Sequence, residues 1–306
     1  MSIELPEANI LAKQMDEALK GKKVRSYALR DYEKMQRIGF INRELGDFDG
    51  LVGRTIGGVT SRGNTVMVKL DGGMNLLLAP EYGGVVLYHA SGENAPKFHL
   101  RLDFTDGSFL TIRMTSMGVI HAVREDALGD DYMYKRDFSG KPSPGSPELT
   151  LERFTELLVK GTQLKPLLVG KDAAVVGLSN SAFQDILYRA GIHPRRKASE
   201  LSADEVRAIH EAIDGLVEDR MRLGGKDKFI DLHGRRGRYT PVMGPNMRDR
   251  SCPRCGTRVE KMPVGGRTGL LLPQMPEIED KKTELATSKE ERSARTAFIV
   301  VLPVVP

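Results

Sequence analysis

Two carboxylates close to the amino end are the first residues that could do chemistry. Glu4 and Glu7 are three residues apart, with Pro6 between them, and paired acids can move protons in general acid–base catalysis. The same residues suit the start of a helix, because proline is favoured in the first turn and acids near the positive end of the helix dipole. This segment alone leaves both interpretations open.

A basic stretch from Gly225 to Arg267 is the second feature. It holds eleven basic residues against four acidic ones, a net charge of +7, whereas the rest of the chain sums to −2. Such a surface suits phosphates, because neutralising them releases condensed counterions. A solvated loop face is the alternative, but Arg195, Arg196 and Lys197 add positive charge and favour nucleic acid.

The elements that must position these residues indicate an α+β chain. Its 306 residues, 40% apolar, suffice for two cores. Short alternating runs with Asp-Gly turns between residues 23 and 123 predict antiparallel strands in a sandwich or flattened barrel. Helices are predicted at residues 7–19, 150–159, 164–169, 180–190 and 203–222, where apolar residues recur at helical spacing. Prolines at 142, 144 and 147 indicate a linker over residues 135–148.

Three blocks resemble the formamidopyrimidine-DNA glycosylase and endonuclease VIII family. Ile3-Glu4-Leu5-Pro6-Glu7 is similar to the Pro-Glu-Leu-Pro-Glu start of its mature chains, except at the proline. Residues 177–202 resemble its helix-two-turn-helix element, and residues 252–257 with 265–268 resemble its C-terminal finger. Because the blocks occur in the family's order and spacing, the chain is identified as a member.

The resemblance implies two domains joined by the linker. We expect a long first helix and an N-terminal antiparallel β-sandwich over residues 1–134, and a helix-two-turn-helix DNA-binding domain over residues 149–247. A zincless finger-like β-hairpin follows at residues 248–276. The remaining residues, 277–306, form a tail outside the family pattern, with no assigned role.

The resemblance also implies that the reactive amino end is altered. Ile3 replaces the proline whose amine attacks the sugar in the family, while Glu4 keeps the position of the proton-handling glutamate and Glu7 is the second acid. If Met1 is removed, the α-amino group of Ser2 could attack instead, although it lies one residue, about 3.3–3.6 Å, beyond the expected site. Glu4 acting as a general base on water is the other route.

Further positions carry over from the resemblance. Asn64 replaces a lysine that assists strand cleavage, which makes lyase activity doubtful. Lys165 and Asn180 match the family's phosphate contacts, although an asparagine that opens a helix is commonly an N-cap. The DNA-binding residues expected besides these are Arg235, Arg236 and Arg238 in the basic stretch and Arg267 in the finger.

Candidates for the side chains that fill the gap left by an extruded base are Arg113, Met114 and Met117. Methionines in the core are the competing interpretation.

The cysteine pair predicts no metal site. Cys252 and Cys255 have the spacing of zinc ligands, but Leu272 and Met275 occupy the positions of a second pair, and a structural zinc ion needs four ligands. We expect no cofactor and a hairpin held by packing; a metal site shared between two chains is the alternative.

The expected function is release of a damaged base from double-stranded DNA. A catalytically inactive lesion-binding protein on the same scaffold is the alternative. The sequence has no run of about 18 uncharged apolar residues and no signal-peptide pattern. These features predict a monomer in the cytoplasm, associated with the nucleoid and not with a membrane.

Overall fold

The computed structural model describes residues 3–80, 84–115, 118–138, 140–159, 163–170, 173–264 and 267–271, with backbone only from residue 261 onward. The predicted residues Ser2, Met117, Leu272 and Met275, and the tail, lie outside this range.

The first domain is a sandwich of two four-stranded antiparallel sheets. One sheet has the order β1-β6-β7-β5 and the other the order β2-β3-β4-β8, as the Asp-Gly turns and alternating runs predicted. The strands are β1 (Val24–Leu29), β2 (Ile56–Arg62), β3 (Thr65–Leu70), β4 (Met74–Ala79), β5 (Val85–His89), β6 (Leu100–Phe104), β7 (Phe109–Arg113) and β8 (Val119–Arg124).

Helix α1 (Leu5–Leu19) covers the sandwich. Its apolar face places Leu11, Met15 and Leu19 in the core that both sheets share, because residues three and four apart lie on one face of a helix. Two short helices, α2 (Glu33–Arg37) and α3 (Tyr132–Asp137), complete the domain. Helix α3 continues past residue 134, and Asp137 at its end accepts a hydrogen bond from the Thr65 side chain at 2.6 Å, so we propose that the first domain extends to residue 137 and that the predicted linker begins after it.

The helical domain has a separate core. It contains α4 (Leu151–Val159), α5 (Leu164–Leu168), α6 (Asn180–Ala190) and α7 (Ala203–Arg222). Helix α6 ends at Gly191, which adopts a left-handed conformation that glycine tolerates best. The Ser202 side chain accepts a hydrogen bond from the backbone N–H of Glu205 at the start of α7, which defines that helix boundary.

A segment after α7 joins the two domains, and we call residues 223–239 the strap. The sequence predicts that it belongs to the helical domain, but Phe229 and Leu232 are buried in the core of the first domain. The backbone N–H of Tyr88 donates to the Leu232 carbonyl at 3.0 Å, and the Gln14 side chain donates to Asp231 at 2.9 Å. The strap, which lies inside the range 149–247 predicted for the helical domain, therefore also packs on the first domain.

The final hairpin pairs β9 (Glu260–Val264) with β10 (Arg267–Leu271), as expected for a finger-like segment. At its base, Cys252 packs with Tyr188 and Met243 on the helical domain.

Close backbone packing inside the strap yields a stability prediction. A Cβ atom at Gly237 would lie 2.3 Å from the carbonyl oxygens of Gly225 and Lys226, which cannot move aside as a flexible side chain would. We predict that Gly237→Ala lowers the free energy of unfolding by about 1–3 kcal/mol, as overpacking does, measured by urea denaturation.

The matched control is Gly215→Ala inside α7, where the nearest neighbour of a new Cβ is 3.7 Å away. This substitution should stabilise the protein by about 0.5–1 kcal/mol. Equal effects of the two substitutions would contradict the close packing of the strap.

Candidate functional site

The amino end of α1 lies where the two domains meet. The backbone N–H of Leu5 donates to the Gly177 carbonyl at 3.0 Å, which ties the start of α1 to the loop before α6. A Cβ atom at Gly177 would lie 2.7 Å from Leu5 and 2.8 Å from the backbone of Gly63. Three segments therefore approach one another at backbone contact beside Glu4.

Glu4 is completely buried and has partners on three elements. Arg220 of α7 donates a short hydrogen bond to Oε2 of Glu4, and Ser179 at the start of α6 donates one to Oε1. The Lys226 Nζ atom of the strap lies 3.4 Å from Oε1. The carboxylate thus joins α1 to the helical domain and to the strap.

Glu7 is the second fully buried acid of this cluster. It accepts from the backbone N–H of Glu4 at 3.0 Å and from that of Lys226 at 3.1 Å. Its Oε2 atom lies 3.8 Å from both Arg220 Nη1 and Lys226 Nζ. We call Glu4, Glu7, Arg220 and Lys226 the buried ion cluster; its two acids and two bases balance in formal charge.

The cluster determines the protonation state of Glu4. Burial by itself raises the pKa of this carboxyl, but the charges of Arg220 and Lys226 and the hydrogen bonds from Ser179 and Arg220 outweigh it and lower the pKa to about 2. Glu4 is therefore an anion at neutral pH and a weak proton acceptor. The role expected from the sequence, a general base that activates water, stays a prediction that this low pKa disfavours.

Arg220, Lys226 and Ser179 were missed by sequence reasoning. Arg220 lies 216 residues from Glu4 along the chain, and on a helix with an apolar stripe an arginine looks like part of the solvated face. The one available signal is that Arg220 follows Ile209, Ile213 and Leu216 on the buried side of α7.

The two predicted phosphate contacts differ in their outcome. Lys165 of α5 is only 7% exposed, which disfavours the predicted phosphate contact and leaves it a prediction to be tested. Asn180 is half-buried in the first turn of α6, and the N-cap is Ser179, whose side chain accepts from the Ser181 N–H at 3.1 Å.

The three arginines predicted in the strap are exposed. The Nε atom of Arg235 donates to Asp231 at 2.9 Å, yet its side chain is 69% exposed. Arg236 and Arg238 lie nearby in the same segment. All three can face an external phosphate. The side chain of the fourth, Arg267, lies outside the described part of the protein, although its backbone pairs with Val264 in the hairpin.

Two candidates for the wedge, the side chain that fills the gap left by an extruded base, differ in their exposure. Arg113 is exposed at the end of β7, whereas Met114 is 3% exposed and belongs to the core of the sandwich. Met114 is therefore a core residue and not a wedge, because it follows the alternation of β7 inward.

Asn64 occupies the position of the family's lysine, and its side-chain amide cannot act as an amine. Its backbone N–H donates to the buried Asp137 at 3.1 Å. The side chain at this position is thus an uncharged amide, and lyase activity stays doubtful.

The cysteine pair is present as two thiols, Cys252 buried and Cys255 exposed. The backbone N–H of Arg254 donates to the Cys252 sulfur at 3.4 Å, and Cys252 contacts the Tyr188 hydroxyl at 3.5 Å. No group of three or more potential metal ligands occurs among the described residues. Packing against Tyr188 holds the Cys252 side chain on the helical domain.

None of the described helices has the length and apolar character needed to cross a membrane.

Comparison with known proteins agrees with this geometry. The profile described as the formamidopyrimidine-DNA glycosylase N-terminal domain matches residues 3–115, and the profile of the H2TH domain of the same glycosylase matches residues 141–229. The formamidopyrimidine-DNA glycosylase of Roseiflexus sp. is 30% identical over 271 residues, covering 86% of this chain and 96% of its own. That of Bacillus subtilis is 27% identical, covering 86% and 95%.

Solved structures share the fold. The Lactococcus lactis Fpg protein in complex with DNA containing an abasic site superposes with a TM-score of 0.75 at 22% identity, covering 90% of this chain and 99% of that one. The Thermus thermophilus MutM (Fpg) protein gives 0.73 at 22% identity, covering 89% and 98%.

The low pKa of Glu4 yields a pH prediction. A carboxyl whose folded pKa is about 2 and whose ordinary value is 4.5 stabilises the fold above about pH 4.5, and this contribution is lost as the pH falls towards 2. We predict that the free energy of unfolding of the native protein decreases between pH 5 and 3 by an increment that Glu4→Gln lacks, measured by urea denaturation.

Glu17→Gln, which alters an exposed acid on the same helix, is the control and should keep the native pH dependence. A Glu4→Gln variant that loses as much stability in acid as the native protein would contradict the ionised state of Glu4.

Proposed function

Because the chain belongs to the formamidopyrimidine-DNA glycosylase family, we propose that it is a base-excision repair enzyme that releases a damaged base from duplex DNA. The observation that carries the proposal is the convergence at Glu4 of α1, the start of α6 and the strap. The segment that corresponds to the reactive end of this family, here residues 3–7, therefore lies at the junction of the two domains.

The residues that we propose to contact the duplex lie on the strap and in the first turn of α6. Glycosylases extrude the target nucleotide before its base is cleaved from the sugar. Positive charge on the exposed strap and the first turn of α6 suits phosphates on either side of such a nucleotide, because basic side chains and helix starts both attract anions. We place the protein with DNA in the nucleoid, as a monomer.

Glu4 contributes its charge to the reaction. As the base leaves, positive charge develops on the sugar, and a fixed anion near that charge lowers the barrier more effectively than mobile water does. Because position 3 is isoleucine, the attacking group is either water or the α-amino group of Ser2, which lies outside the described residues. With Asn64 in place of an amine, cleavage of the strand is not part of the proposal.

A trapping experiment tests the proposal. The purified protein is incubated with duplexes carrying oxidised or alkylated bases, then treated with borohydride or, separately, with alkali. We predict release of the base, with strand scission only after alkali, and a loss of about 100-fold or more in Glu4→Gln, comparable to removing one electrostatic contact to a transition state.

The products identify the nucleophile. A borohydride adduct mapped by mass spectrometry to Ser2 assigns the amine, and base release without an adduct assigns water. Specific lesion binding without base release on any of the duplexes would contradict the enzymatic proposal and favour the inactive alternative.

Salt dependence tests the strap. Each phosphate contact contributes close to one unit to the slope of log affinity against log salt concentration. We predict that Arg236→Ala and Arg238→Ala each reduce the slope by about one unit, measured by fluorescence anisotropy between about 50 and 200 mM salt.

Lys165→Met is the contrasting variant, because this lysine is buried. It should leave the slope unchanged, and a reduction equal to that of the strap variants would contradict the assignment.

A further inference from the structure

Arg220 belongs to the buried ion cluster but has no role assigned to it in the reaction. Its side chain is fully buried on α7, and burying a guanidinium group costs several kcal/mol unless it is paired. Apolar residues of similar size stabilise such positions at least as well. A cation retained there therefore suggests a purpose besides stability.

The geometry fixes the direction in which Arg220 points. Its guanidinium carbon lies 5.2 Å from the centre of the Tyr239 ring, and its Nη1 atom reaches the carboxylates of Glu4 and Glu7. The Tyr239 hydroxyl donates to Asp185 and accepts from Arg189 at 3.0 Å. These hydrogen bonds hold the Tyr239 ring in place, and the ring packs against the Arg220 guanidinium group. Arg220 therefore points towards Glu4.

The hydrogen bonds of Arg220 are devoted to this one contact. Its Nε and Nη2 atoms are buried and have no hydrogen-bond partner among the described residues. Unsatisfied buried donors are costly, and a residue serving only to fill space or to bridge helices would be expected to use them. Among the described residues, Arg220 donates its side-chain hydrogen bond to Glu4.

We propose that Arg220 is a positioning residue that keeps Glu4 a permanent anion, fixed in one orientation, throughout the reaction. Glu4 then acts by its charge and does not carry a proton. The charged or polar groups that face Glu4 are Glu7 on its own helix, Ser179 at the start of α6, Arg220 on α7 and Lys226 in the strap. Among the charged groups on α6 and α7, only Arg220 hydrogen-bonds Glu4.

The kinetic test rests on the proposed glycosylase function. Glu4 of the native protein does not titrate between pH 5 and 8, so the single-turnover rate of base release by each variant is compared with the native rate at the same pH, which cancels the pH dependence of the attacking group. In Arg220→Gln the cation is lost while the burial stays, which raises a carboxyl pKa. The rate of this variant should fall towards acid, approaching tenfold per pH unit below its inflection.

Two variants control for structural effects. Arg220→Lys keeps the charge and should restore the native pH profile, even if the rate is reduced. Arg222→Met on the same helix removes an exposed arginine that pairs with Asp219 and should change neither rate nor profile. A profile of Arg220→Gln parallel to that of the native protein would overturn the inference.

A second measurement does not depend on activity. Urea denaturation at pH 7 of the native protein, Glu4→Gln, Arg220→Gln and the double variant forms a double-mutant cycle. The shift in midpoint caused by Glu4→Gln should be much smaller when Arg220 is already Gln. Additive shifts would overturn the inference, whereas coupled shifts in a protein that releases no base would refute the proposed function and leave the Arg220–Glu4 contact established.

Discussion

The buried ion cluster at the amino end of α1 is the constraint on which the arrangement of the two domains depends. Folding buries two acids at the start of α1, one base on α7 and one base in the strap. Removing a single partner from such a cluster leaves an uncompensated buried charge, which typically costs about 3–5 kcal/mol. The sandwich and the helical domain are therefore held in a relative position that brings opposite charges together.

The strap links the buried ion cluster to both domains. Lys226 sits at its beginning, while Phe229 and Leu232 are buried in the sandwich core. Tyr239 at its other end packs under Arg220, with the exposed arginines between. One segment thus connects the surface expected to meet phosphates with the groups that surround Glu4.

Local pattern was sufficient to predict much of the fold. Helix α6 at Asn180–Ala190, helix α7 at Ala203–Arg222 and strand β3 at Thr65–Leu70 have the predicted bounds, because periodicity, turns and caps are encoded by neighbouring residues. The replacement of the reactive proline by Ile3 was also visible in the sequence.

Contacts between distant segments were not predictable in this way. The side-chain partners of the Glu4 carboxylate lie more than 170 residues away. The sequence pattern places Arg220 on the buried side of α7 but does not identify Glu4 as its partner. The inward orientation of Lys165 and of Met114 likewise results from tertiary packing. In each case a residue expected to meet DNA or solvent is buried. Arg220 and Lys165 are polar, and polar side chains can be buried where partners pair with the charged group or apolar neighbours surround the aliphatic part.

The account as a whole requires that Glu4 be an anion inside the folded protein. The most direct measurement is carbon-13 NMR of the glutamate side-chain carboxyls, with the Glu4 resonance assigned by its absence in Glu4→Gln, followed from pH 8 to pH 4. The account predicts that this resonance keeps the chemical shift of an ionised carboxylate throughout. An inflection above about pH 4.5, the ordinary value for a glutamate, would contradict it.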